Sequence, residues 1–162
     1  MSFMNVSSIK APVLKYRCEL VKEPAWKYLD SCPKVQDSNF AAETLVRLTG
    51  IDKAPSEQLW VLFLDYQANV KGYYMVSSGG LTSSIADSRN VFRGAILANS
   101  HAIILGHNHP SGDPTPSQDD IAVTDRLVKA GRILGIRVLD HIVIGHDGSY
   151  TSMQESQITD FN

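Results

Sequence analysis

Two imidazoles, a hydroxyl and a carboxylate fall within the fourteen residues from His107 to Asp120, directly after the apolar run Ala102-Ile103-Ile104-Leu105. On a strand, residues i and i+2 project from one face, so His107 and His109 point the same way. Two neutral imidazoles and one carboxylate make a three-ligand site for a divalent ion, most often zinc. The fourth position is then left to water, which is the pattern of catalytic rather than structural zinc. The same donors also accept manganese, iron or cobalt.

Ser117 with an acid three residues on is also the start of a capped helix, the hydroxyl at the N-cap and Asp120 closing the box. Taken alone, Ser117 and Asp120 read as a cap. The His-x-His beside them has no packing purpose, since nothing in a core needs two imidazoles at a strand mouth. Cap and ligand are compatible, because an Asp in the first helical turn sits close to the preceding loop. Ser111 and Gly112 supply the turn that brings the chain back.

The spacing His-x-His, seven residues, Ser, two residues, Asp resembles the signature of the JAMM (MPN-plus) metalloproteases, which include metal-dependent deubiquitinating isopeptidases. The longer string from His107-Asn108-His109-Pro110-Ser111-Gly112 through Pro116-Ser117 to Asp120 is similar to the RadC branch of that family. Ser78-Gly79-Gly80, the segment Asp87 to Phe92 and the segment Leu139 to Ile144 extend the likeness over about residues 50–155.

The resemblance implies zinc held by His107, His109 and Asp120, with Asp119 left as a first-turn acid complementing the helix dipole. It also implies a Glu base upstream of His-x-His. Glu57 is the nearest Glu on that side, and no other Glu follows before Glu155. A second register known in RadC-like sequences would put the base where this chain has Ser78. Ser117 could donate to a developing oxyanion. Asp140-His141 recurs in RadC-like sequences and reads either as an orienting pair behind the metal or as a satisfied structural pair. His101 and His146 are assigned to surface or packing.

Three functions follow as expectations. The first is a zinc hydrolase that cleaves peptide or isopeptide bonds, with a peptide or protein as substrate. The second is a DNA-repair-associated accessory protein, although the first 36 residues lack the glycine-hairpin pattern of a helix-hairpin-helix. The third is a silent metal-binding scaffold; such relatives usually lose the ligands, and all of them stand here. Gly-x-Ser-x-Gly, Gly-x-x-x-x-Gly-Lys and His-Glu-x-x-His are absent from the chain.

The elements that must position these groups are readable from periodicity. Val13 to Val21 suggests a strand. Asp37 caps a helix carrying Phe40, Ala41, Leu45 and Leu48, and Gly50 ends it. Leu59 to Leu64 and Val70 to Val76 form a hairpin around Asp65 to Asn69, and Ser77 to Ser84 is a loop. Asp87 caps a helix with Val91, Phe92, Ala95 and Ile96 inward. A strand at 102–106 leads into the site loop. A helix at about 118–134 packs Val123, Leu127, Ala130 and Leu134, and Arg137 to Ile144 is the last strand. From Ser149 the chain is polar and weakly ordered in expectation.

This order gives a single-domain α/β sandwich with a mixed central sheet flanked by helices, the cytidine-deaminase-like arrangement that the resemblance requires. Residues 1–36 read as an N-terminal extension, 37–155 as the domain and 156–162 as a tail.

The composition, 43% hydrophobic and 20% charged over 162 residues, fits one globular unit. A net charge of −2 offers no basic footprint for nucleic acid. Lys and Arg number six against three acids up to Lys34, a mild local excess. Cys18 and Cys32 form no framework, no signal pattern is present, and the run Leu59 to Leu64 is too short to span a bilayer. The expectation is a cytoplasmic protein without membrane contact. Oligomeric state is open, with Trp26 and Trp60 available to a core or an interface.

Overall fold

The computed structural model describes residues 33–79 and 87–161. The expected strand at Val13 to Val21, both cysteines, Trp26 and most of the loop 77–84 lie outside those residues.

Helix α1, Ser38–Thr49, starts where Asp37 accepts a hydrogen bond from the Phe40 amide, and ends at Gly50. At φ 65°, that position favours a residue without a Cβ. A 3-10 turn, Ile51–Lys53, leads to the hairpin of β1, Gln58–Leu64, and β2, Val70–Ser78. Helix α2, Ser88–Leu97, is capped by Asp87. Then come β3, Ala102–Asn108, α3, Gln118–Leu134, β4, Arg137–Ile144, and β5, Tyr150–Ser152.

The sheet runs β2-β1-β3-β4-β5. Only β3 and β4 are parallel, joined by α3 as the crossover; the other neighbours are antiparallel. Both faces are covered, as a sheet with a parallel centre requires. One core joins Leu59, Val61, Phe63, Ile103 and Leu105 to Phe92 of α2 and to Val123 and Leu127 of α3. The other joins Leu62, Leu64, Ile104, Ile142 and Ile144 to Ala41 and Leu45 of α1. A single-domain α/β sandwich with a mixed sheet is what the sequence led us to expect.

Gly106 lets α1 press onto the strand that carries the histidines, since a Cβ there would stand 2.5 Å from Leu45 Cδ1. Leu105 is fully buried on the opposite face. Leu105→Ala is expected to cost about 3 kcal/mol by removing buried atoms and leaving a cavity. A denaturation midpoint unchanged from wild type would contradict this packing.

Four expectations are corrected. Ile96 and Leu134 do not pack inward but are 55% and 46% exposed, and with Leu97 they line a shared apolar groove near Phe92. Thr124, Val128 and Gly131 join the expected Val123 and Leu127 at the inward positions of α3. The metal strand runs two residues further than 106, so His107 lies within it. The chain after Ser149 adds β5 to the sheet and buries Met153 completely, while Phe161 packs on the α3-side core.

β4 contains an irregularity. Ile103 pairs with Val138, but Ile104 pairs with Asp140, so one extra residue is inserted. Val138 belongs to the α3-side core, whereas Ile142 and Ile144 belong to the α1-side core. Strict alternation would put all three on one face. The inserted residue reverses the phase of the strand.

Candidate metal centre

The site forms at the C-terminal ends of the parallel strands β3 and β4, where α3 begins. Open α/β sheets bind ligands at this edge. His107 continues the row Ile103, Leu105 on the α3 side of β3. His109 follows the strand's end, its amide bonded to the Ile144 carbonyl at 3.0 Å. The loop then turns at Gly112, whose φ is 88°. A Cβ there would meet the His146 ring at 2.5 Å, while the Gly112 carbonyl accepts the His146 amide. This places exposed His146 as packing beneath the loop. His101 is likewise an exposed residue, bonded through its backbone to Leu64.

Ser117 caps α3 in a full capping box, its hydroxyl accepting from the Asp120 amide at 3.2 Å. Asp120 Oδ2 accepts from the Ser117 amide at 2.7 Å and from its hydroxyl at 2.6 Å. The box therefore holds Asp120 in the rotamer that faces the histidines. Asp119 is exposed in the first turn.

His107 Nε2 and His109 Nε2 stand 3.0 Å apart. Asp120 Oδ1 lies 3.4 Å from His107 Nε2, and Asp120 Oδ2 lies 3.4 Å from His109 Nε2. Ligand atoms about 2.0–2.1 Å from a tetrahedral ion stand roughly 3.3 Å from one another. The two nitrogens, and each nitrogen with its own Asp120 oxygen, come near that spacing; taken one atom from each side chain, the group lies within 4.8 Å and could hold a metal ion. His109 Nδ1 lies 2.8 Å from the Asp113 carbonyl, which only accepts. That nitrogen carries the proton, and Nε2 offers its lone pair to the group.

His107 and Asp120 are buried and His109 is 17% exposed, so the group opens to solvent on the His109 side. Burial alone would raise the Asp120 carboxyl. Without a metal, the hydrogen bond and charge of a protonated His107, with the Ser117 hydroxyl and amide, would outweigh it and hold Asp120 far below the usual carboxylate range.

Behind His107 stands His141, whose Nε2 lies 2.8 Å from His107 Nδ1. It is fully buried, and burial keeps it neutral by driving its pKa well below the usual imidazole value. Thr124 Oγ1 lies 2.6 Å from His141 Nδ1 and 2.6 Å from the Asp120 carbonyl. The pair Asp140-His141 divides. His141 serves the site, whereas Asp140 accepts the Ser152 hydroxyl and the amides of Gln154 and His141. Burial raises the Asp140 carboxyl despite these bonds.

Asn108, the unread middle residue of His-x-His, is a third contributor. Its Oδ1 accepts the Gln58 amide at 2.9 Å, and its Nδ2 reaches the carbonyls of Ala54 and Ser56. It thereby fastens the segment before β1 to the end of β3. Glu57 lies in that segment, half-buried, its carbonyl accepting from Gly79 at 2.8 Å. β1 pairs Leu59 with His107, so Glu57, two residues earlier, precedes the strand on the same face. Ser78, the alternative register for the base, pairs with Gln58 across β1 and β2. Both candidate positions thus converge on one end of the sheet. The compact ligand group comprises His107, His109 and Asp120 and does not include Glu57.

A family profile described as RadC-like JAB domain matches residues 36–158. A UPF0758 protein of Methanococcoides burtonii is 50% identical over 99 residues, 61% of this chain and 43% of that protein. A UPF0758 protein of Symbiobacterium thermophilum is 52% identical over 99 residues, covering 61% and 42%. Another from Staphylococcus carnosus is 42% identical over 155 residues, 96% of this chain and 67% of that protein. The chain thus spans less than half the length of the first two relatives.

Proposed function

The chain belongs to the RadC-like JAB domain family, and on that premise we propose that it is a zinc-dependent hydrolase acting on peptide or isopeptide bonds. The observation that supports this most is the convergence of His107 Nε2, His109 Nε2 and the Asp120 carboxylate within 4.8 Å of one another, on a side open to solvent. A divalent ion held there would supply Lewis acidity and lower the pKa of a coordinated water from about 16 towards roughly 7.

The chain's own residues do the rest in this reading. Glu57 takes the proton of the attacking water and returns it to the leaving amine. Asn108 keeps Glu57 beside the histidines by gripping the residues on either side of it. Ser117 donates to the carbonyl oxygen as charge builds there, giving up its hydroxyl bond to Asp120. Asp120 then retains the Ser117 amide, so the exchange leaves the ligand oriented. The exposed Ser117 and the partly exposed His109 mark the side from which substrate approaches.

The test is turnover of fluorogenic peptide and isopeptide-linked substrates by the zinc-loaded chain, with Glu57→Gln as comparison. Loss of a general base is expected to slow turnover by about 10²–10⁴-fold while zinc content stays unchanged. Turnover that survives in Glu57→Gln would remove Glu57 from the role. A zinc-loaded wild type without hydrolysis of either substrate class would favour the silent-scaffold reading.

A further inference from the structure

We infer that Thr124 and His141 are positioning residues that decide which nitrogen of His107 meets the metal, an inference that rests on the metal-site reading above. One chain of contacts fixes where each proton sits. The Asp120 carbonyl has no proton to give, so at 2.6 Å the bond must come from the Thr124 hydroxyl. A threonine hydroxyl has a single hydrogen. Thr124 Oγ1 therefore acts as acceptor towards His141 Nδ1, also at 2.6 Å, and that nitrogen must carry a proton.

His141 is fully buried with an imidazole and a hydroxyl as its ring partners and no carboxylate among them, so it stays neutral and carries one N–H only. Its Nε2 is then a bare acceptor, 2.8 Å from His107 Nδ1. His107 Nδ1 must donate there, which places the lone pair of neutral His107 on Nε2, the atom that faces His109 and Asp120. One hydroxyl on α3 thus sets the tautomer of a side chain on β3, two hydrogen bonds away. The same hydroxyl holds the main chain of Asp120, so both ligands are referred to a single atom. The second ligand has no such relay: His109 is oriented by one backbone carbonyl of its own loop.

The outer partner of His107 is a neutral imidazole rather than a carboxylate. Its effect is orientation and tautomer choice, and it adds no negative charge behind the ligand. If the hydroxyl is removed, His141 Nδ1–H has no acceptor. The favoured tautomer then moves the proton to His141 Nε2, and His107 must present the lone pair at Nδ1 and a proton at Nε2, towards the metal.

Two readouts test this. Long-range nitrogen–proton spectra of the metal-free wild type are expected to show His141 protonated at Nδ1 and His107 protonated at Nδ1. Zinc affinity, measured by competition with a chromogenic chelator, is expected to fall about 10–100-fold in Thr124→Val and to remain near wild type in Thr124→Ser. His141 protonated at Nε2 in the wild type would overturn the inference, as would Thr124→Val binding zinc like the wild type. If the wild type takes up no zinc, the metal reading fails, and the ring spectra of the same sample still decide the tautomer chain. Should Thr124→Val fail to fold, the wild-type spectra and Thr124→Ser carry the decision.

Discussion

The double variant His107→Ala/His109→Ala is expected to purify without zinc, against about one ion per chain in the loaded wild type. Two of the three converging donors are lost, and what remains is a single carboxylate already engaged by the Ser117 amide and hydroxyl. One carboxylate at the mouth of a loop does not compete with water for a divalent ion. The effect should also be visible as stability. Ligand at about a thousand times its dissociation constant stabilises a protein by roughly 4 kcal/mol. For a domain of this size that is on the order of 10 °C in Tm. Calorimetry with and without added zinc should therefore show a large upward shift for the wild type and none for the variant. Zinc retained in the double variant would place the ion elsewhere and sink the site.

The second large effect is expected from Asp140→Ala. This buried carboxylate accepts three hydrogen bonds, from the Ser152 hydroxyl and the amides of Gln154 and His141. Two of those donors belong to the segment that carries β5 and Met153. Truncation leaves three donors without their acceptor, and each buried group so orphaned costs about 1–3 kcal/mol. The sum after partial solvent rescue is expected near 4 kcal/mol, larger than that of most single substitutions. Hydrogen exchange should localise the damage, with the Gln154 amide losing protection before the centre of β3. An unchanged midpoint, or equal loss of protection throughout the sheet, would show that Asp140 does not hold the C-terminal segment.

Much of this site was legible in the sequence because its chemistry is local. His107, His109, Ser117 and Asp120 lie on one continuous segment from the end of a strand to the first turn of a helix, and strand alternation with capping rules suffices to face them together. α1 and the β1–β2 hairpin were legible for the same reason, with caps and turn residues at both ends. What escaped notice depends on long-range pairing. Asn108 looked like a spacer because its three partners lie some fifty residues back in the chain. Thr124 looked like an ordinary helix residue until β4 brought His141 against it.

Ile96 and Leu134 were misread for a different reason. An apolar stripe tells which side of a helix faces inward but not how far the layer beneath it extends. The last turns of α2 and α3 carry the stripe into the open groove near Phe92. β5 was missed because three residues are too few for a period to show, and its stability comes from Asp140 and from pairing with β4.

The inserted residue in β4 makes the phase of that strand a constraint of its own. Residues Val138 and His141 are an odd number apart yet share the α3 side, which only the insertion allows. Removing Leu139 alone would restore strict alternation if Val138 and the β3 pairing stayed in place. Val138 and His141 would then stand two residues apart, and both would still face α3. Straightening the strand with all its residues kept would do the opposite, turning His141 towards α1 and leaving the first ligand without its partner. In comparing such chains, a gap of one position between the fourth strand's start and its histidine therefore marks a strand without the insertion, in which the histidine keeps its face.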